Sequence, residues 1–169
     1  MAKVVILVEK DFQDLEVYYP YYRLKEEGFD VVVAGTGENS YKGKFGLTIQ
    51  ADANIKDLDP AKFDVVVIPG GWAPDHLRWH EPVKKFVSAM NKNGKIVAGI
   101  CHAASVLVSA DVLRGKKATC YKAVKDDLVN AGATFFDKEV VVDGNLITSR
   151  IPDDLPAFCK AIIASVKNK

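Results

Sequence analysis

The 169-residue sequence predicts an α/β fold, a three-layer sandwich whose mostly parallel sheet is covered by helices on both faces. Two observations predict it: short β-branched runs recur along the chain, and helical patterns separate them. Runs such as "VVILV" and "DVVVIP" show no polar alternation, as a strand buried on both faces requires. Strands that alternate with helices join by right-handed crossovers into a parallel sheet. The length suits a single domain spanning 1–169, with no internal repeat or linker.

The first strand is "VVILV" at 4–8. A helix follows in "DLEVYYPYYRLKEEGF", with Leu15, Tyr18, Tyr19, Tyr22 and Leu24 as apolar positions near helical spacing and Gly28 as its stop. "DVVVAG" at 30–35, "DVVVIPGG" at 64–71 and "KIVAGI" at 95–100 are the next strands. Residues 73–93 read as one helix ending at Gly94. The segments 41–50 and 139–150 break the rhythm, and Asp143-Gly144 is a hairpin signal, so both are expected as antiparallel additions at sheet edges. The closing "PDDLPAFCKAIIASVK" reads as a helix with Asp153 as N-cap and Phe158, Ile162 and Val166 on its apolar face.

A balance of 23 Lys+Arg against 22 Asp+Glu leaves +1, without a basic stripe, so no nucleic-acid or membrane partner is expected. No run approaches the ~20 apolar residues of a membrane span, and "MAKVVILVEKDF" reaches charge too early for a secretory leader. A cytoplasmic location is expected. Cys101, Cys120 and Cys159 form an odd, sparse set that reads as free thiols.

In such sheets the reactive groups gather at the carboxyl ends of the strands. Gly99-Ile100-Cys101-His102-Ala103 places a cysteine between a strand and a helix with small neighbours, the layout of a nucleophile elbow. The helix end and the adjoining His102 predict Cys101 as the one low-pKa thiol of the three. Gly70 and Gly71, after the third strand, permit close approach of backbone N–H groups to a ligand, as an oxyanion hole needs. After the first strand, Glu9, Asp11, Asp14 and Glu16 offer one acid to hold a proton beside the thiol. His76 and His80 share a helix face but lack the glutamate of a zinc motif and a third ligand, so no metal is expected there.

"YPYYRLKEEGFDV", "FDVVVIPGGWAPDHLR", "GKIVAGICHAAS", "ADVLRGKKAT", "NAGA", "EVVVDGNLITSR" and "PDDLPAF" together resemble the PfpI-type branch of the ThiJ/PfpI family, in the class I glutamine amidotransferase-like superfamily. The resemblance covers nearly the whole chain and implies a flavodoxin-like sandwich. It implies Cys101 as nucleophile, with His102 beside it oriented by Asp75 of another subunit. Gly71 and the backbone around His102 and Ala103 would form the oxyanion hole, and Tyr121 would line the pocket. The family's acid after the first strand, usually glutamate, aligns with Asp11. Ala103-Ala104 stands where many relatives have glycine and proline.

The resemblance implies a cysteine-dependent hydrolase of reactive carbonyls or early glycation adducts, a deglycase or glyoxalase-like enzyme that turns methylglyoxal into lactate without a cofactor. An intracellular cysteine peptidase is the alternative, and a redox-sensing stress protein or holdase a further one. The expected partners are a small carbonyl, glycated or peptide substrate and other copies of the chain. The expected assembly is a dimer or trimer of dimers with the site shared between subunits.

Overall fold

The computed structural model describes residues 1–168 and centres on a seven-stranded sheet built from the β-branched runs. The chain opens with β1 (Lys3–Leu7), α1 (Asp14–Glu26), β2 (Asp30–Gly35), β3 (Ser40–Lys42), β4 (Thr48–Gln50) and β5 (Ala53–Asn54). Its middle holds β6 (Val65–Ile68), α2 (Ala73–Leu77), α3 (Glu81–Lys92), β7 (Ile96–Ile100) and α4 (Ala104–Ser109). Then come β8 (Lys117–Ala118), α5 (Lys125–Asn130), β9 (Thr134–Phe135), β10 (Val140–Asp143), β11 (Leu146–Ser149) and α6 (Leu155–Lys167).

The sheet order is β10-β11-β7-β6-β1-β2-β5, parallel except for β10 against β11. β6 and β7 are buried along their whole length, the two-sided burial that their unbroken apolar runs require. Ile6 pairs with Val67 and Ile68 with Gly99, so the loops leaving β1, β6 and β7 meet at one edge of the sheet. The site forms there.

Four expectations need correction. Residues 41–50 do not extend the sheet: β3 and β4 form a separate two-stranded ribbon, whose loop is fixed by the buried Asp14 carboxylate accepting from the N–H groups of Phe45 and Leu47, each at 2.8 Å. Residues 73–93 are two helices, α2 and α3, with His80 extended between them at φ −84° and ψ 115°. Pro82 has no N–H for a continuous helix to use, and a fresh start puts that gap among first-turn donors that need no partner. Asp154, not Asp153, stands before α6, and its carboxylate pairs with Arg150 at 2.9 Å instead of capping.

The fourth correction concerns α1. Its buried side carries Glu16, Val17, Pro20 and Leu24, whereas Leu15 and Tyr22 are 55% and 63% exposed. Tyrosines tolerate the outer face because their hydroxyls find polar partners, as Tyr18 does by donating to the Thr48 carbonyl at 2.6 Å. The stripe facing the sheet therefore includes a carboxylic acid.

Candidate active site

Strand β7 ends in extended geometry at Ile100 (φ −125°, ψ 147°), and Cys101 then turns left-handed at φ 62° before a 3₁₀ turn, Cys101–Ala103, leads into α4. A left-handed non-glycine residue is strained, and such strain persists only where surrounding structure enforces it. Here a crowded neighbourhood does so. A β-carbon on Gly99 would stand 3.2 Å from the Ala103 β-carbon, and one on Gly70 would stand 2.7 Å from the Cys101 β-carbon. Small residues around the cysteine are thus a packing requirement.

Two loops are zipped together beneath this elbow. Phe12 and Gly71 form an antiparallel bridge, the Trp72 N–H donates to the Asp11 carbonyl at 2.9 Å, and the Gln13 N–H donates to the Gly70 carbonyl at 3.2 Å. Gln13 then caps α1 by accepting from the Glu16 N–H at 3.0 Å. One turn of helix carries Glu16 inward, where it is fully buried and its Oε2 accepts from the Gly70 N–H at 2.6 Å.

The carboxyl group beside the sulfur is therefore Glu16: its Oε2 is held by the Gly70 N–H, its Oε1 is buried without a partner among the described residues, and its charge acts on the Cys101 thiol. Asp11, the expected acid, does not reach the thiol: it is left-handed at φ 61°, its N–H is committed to the Lys42 carbonyl at 2.8 Å, and its side chain is exposed. The remaining acids have other partners. Glu9 accepts from the Thr36 hydroxyl and the Lys10 N–H, and Asp14 holds the ribbon loop. The signal available in the sequence was the i, i+4, i+8 spacing of Glu16, Pro20 and Leu24, which puts the acid on the buried stripe.

Burial raises Glu16 from its ordinary 4.5 to about 7, opposed by the Gly70 N–H, Cys101 and the Lys44 ammonium. Burial and then the Glu16 charge push the Cys101 thiol up to about 12, while the N–H groups of His102 and Gly71 pull it down. The expectation of one low-pKa thiol is not met in that form, since burial also sends Cys120 and Cys159 to about 12. What sets Cys101 apart is coupling. Between about 7 and about 12 the Glu16–Cys101 pair holds a single proton, which rests on sulfur with the charge on Glu16, and two N–H groups lower the cost of moving the proton to the carboxylate and the charge to sulfur.

His102 Nδ1 lies 3.4 Å from the sulfur, and its ring stacks on Tyr121 at 5.0 Å. Its pKa is lowered by burial, against an opposing pull from Asp75 and a further push from Lys44, so it is neutral at pH 7. Asp75 sits in the first turn of α2, exposed, and within one chain no hydrogen bond joins it to His102 among the described residues. The Gly70 N–H is taken by Glu16, and Ala103 is buried, leaving the Gly71 and His102 N–H groups as the backbone donors that favour charge on the sulfur.

Above Cys101 opens a cavity of about 340 Å³. Glu16, Gly71, Cys101, His102 and Tyr121 line its reactive side, and Lys44, Phe45, Trp72 and Ile151 are among the wall residues that sequence reasoning missed. The Lys44 ammonium lies over the Trp72 ring at 5.1 Å. No group of three or more His, Cys, Asp or Glu side chains suited to a metal occurs among the described residues. No described helix is long and apolar enough to cross a membrane.

A strained cysteine at a strand-to-helix elbow, held against a buried carboxylic acid on a parallel sheet, defines a thiol-centred α/β sandwich. Comparison makes this specific. The chain belongs to the DJ-1/PfpI family, whose pattern it matches over residues 2–165. It is 44% identical to a deglycase of Pyrococcus abyssi over 98% of this chain and 99% of that protein. It is 42% identical to the protein/nucleic acid deglycase 2 of Escherichia coli, covering 92% of each. Among solved structures it superposes with a TM-score of 0.97, at 46% identity and over 99% of its length, on a protein of Anabaena variabilis with DJ-1/ThiJ/PfpI-like and ferritin-like domains. It spans 48% of that two-domain chain.

Proposed function

We propose that the chain is a cysteine-dependent hydrolase of reactive carbonyls and early glycation adducts, with Cys101 as nucleophile and Glu16 as its acid–base partner. The observation that carries this reading is the fully buried Glu16 carboxyl, with one oxygen unpartnered among the described residues, lining the same cavity as Cys101. The deglycase names of relatives that align over nearly the whole chain support the substrate class.

The Glu16 carboxylate takes the thiol proton as sulfur adds to the aldehyde carbon of methylglyoxal. The new oxyanion gathers charge beside the Gly71 and His102 N–H groups. Neutral His102, touching the sulfur, moves a proton from the former aldehyde carbon to the ketone carbon through an enediol, giving a lactoyl thioester. Water hydrolyses it, releasing lactate and restoring the thiol, with one carbon oxidised and its neighbour reduced. With an amine adduct the same carbon is attacked, and the amine leaves with the proton held by Glu16.

The proposed assembly is an oligomer in which a partner's Asp75 orients His102. Trp72 and Trp79, 55% and 72% exposed, offer apolar area for that contact. The test is to incubate wild type and Cys101→Ala with methylglyoxal and with a peptide, side by side. Lactate formation that depends on Cys101 is expected. Cys101-dependent new amino termini without lactate would instead make the chain a peptidase.

A further inference from the structure

A second cavity of about 520 Å³ lies on the far side of Tyr121 and Ile151, two residues that also wall the catalytic cavity. The segment that separates the two is anchored to the nucleophile itself, because the Tyr121 N–H donates to the Cys101 carbonyl at 3.2 Å. Because the two cavities share Tyr121 and Ile151, an adduct whose reacting carbon rests on Cys101 and whose carrier is long enough to pass Tyr121 would reach this second space.

Its lining is cationic. Lys122, Lys125 and Arg150 face it, with Asp137 as the one acid of the wall. Arg150 is spent, since its guanidinium binds Asp137 at 2.7 Å and Asp154 at 2.9 Å. Lys122 and Lys125 are exposed, and no carboxylate lies within ion-pair distance of either among the described residues, although Asp126 and Asp127 stand on the same short helix as Lys125. Lys125 is held in place over the Phe135 ring at 5.1 Å. Two uncommitted ammonium groups at the rim of a pocket favour an anion there.

We infer that Lys122 and Lys125 are specificity-determining residues that select substrates with an anionic carrier, the carboxylate or phosphate resting between them while the adduct meets Cys101. This rests on the function proposed above and narrows its substrates. A neutral carrier of the same shape enters the same space without that attraction. The arrangement suits free metabolite adducts, whose carriers bear a charge a few bonds from the modified atom.

The test uses pairs of methylglyoxal hemithioacetals that share a reacting centre and differ in charge: N-acetylcysteine against its amide for a carboxylate, and phosphopantetheine against pantetheine for a phosphate. Wild type should show kcat/KM about tenfold higher for the anionic member, the scale expected of two part-exposed ion pairs. Lys122→Ala/Lys125→Ala should bring the ratio to within about twofold, and Lys122→Glu/Lys125→Glu should invert it. The pair showing the larger ratio identifies the source of the charge. A ratio near one in wild type, or one that survives both double variants, overturns the inference.

A second readout needs no turnover. Cys101 is modified with the anionic disulfide dithiobis(nitrobenzoate) and with neutral dithiodipyridine, and the site is assigned by peptide mass. Each reaction forms a mixed disulfide and releases one aryl thiolate. The anionic reagent's advantage should fall with loss of the lysines. If it does while wild type makes no lactate, the catalytic reading fails and the anion site stands. If lactate forms and neither ratio moves, the anion site alone fails.

Discussion

Cys101 at the end of β7 and Cys159 in the middle of α6 are both buried thiols, and burial pushes both up to about 12. Desolvation is the whole account for Cys159 apart from a small opposing pull from Arg23, and it packs as a small hydrophobe among the core residues of α6. Cys101 has in addition a left-handed backbone, a buried acid whose charge raises its pKa, two N–H groups that lower it and an open cavity. Burial alone makes a thiol inert. Burial beside a carboxylate that can take the proton, with N–H groups that ease charge onto the sulfur, makes one that can be deprotonated as it reacts.

The sharpest way to break this contrast is substitution at each thiol. Cys101→Ala should lower lactate formation by ~10³-fold or more, because the bond-forming atom is gone. Cys159→Ala should leave kcat within about twofold and show itself only as a loss of ~1 kcal/mol in denaturant unfolding, the scale of one buried sulfur. Equal activity losses in the two variants would remove the distinction.

Next in size is Glu16→Gln, which keeps the shape and removes the base. A fall of ~10²-fold in kcat is expected. The carboxylate needed to take the thiol proton exists only above its raised pKa, so wild-type activity should climb as pH rises through about 7. Glu16→Gln should lack that limb. Stability carries an independent signature. The folded chain holds the Glu16 proton up to about 7, whereas the unfolded chain gives it up near the ordinary 4.5. The native state therefore binds more protons in that window, and this contribution to stability falls by ~3 kcal/mol as pH rises across it. Urea unfolding of both proteins at pH 5 and pH 8 measures the difference; a wild-type profile parallel to that of Glu16→Gln would refute the coupling.

The same acid shows where the sequence could be read and where it could not. The valine-rich runs marked β1, β2, β6 and β7 because unbroken β-branched stretches are rare outside two-sided burial. Cys101 stood out because small residues on both sides of a thiol, between a strand and a helix, let the backbone turn sharply and push the sulfur out over the sheet. Glu16 was obscured by the face chosen for α1: Leu15, Tyr19 and Tyr22 have the spacing of a buried stripe, yet they are outside, and the true stripe includes a carboxylate that composition alone ranks as solvent-facing. Nor does periodicity reveal the bridge between Phe12 and Gly71 that sets the start of the helix, since that contact joins residues far apart in the chain. Lys122 and Lys125 were invisible for a related reason: their cavity is assembled from α5, β9 and the loop after β11.

The smallest expected effect is at Asp11, the acid nearest to Cys101 by alignment and not by geometry. Its role is in the backbone, where its N–H and carbonyl join the ribbon and the Trp72 loop, while its carboxylate remains exposed. Asp11→Asn should keep kcat within about twofold, because asparagine accepts the left-handed φ of 61° and loses nothing that touches the sulfur. Asp11→Val sharpens the point. A β-branched side chain at that φ should cost ~1–3 kcal/mol of stability, seen as a lower Tm, with turnover per folded molecule little changed. If Asp11→Asn instead reduced activity as much as Glu16→Gln, the carboxylate beside the thiol would have been misassigned, and the contrast between the two cysteines would rest on a different proton acceptor.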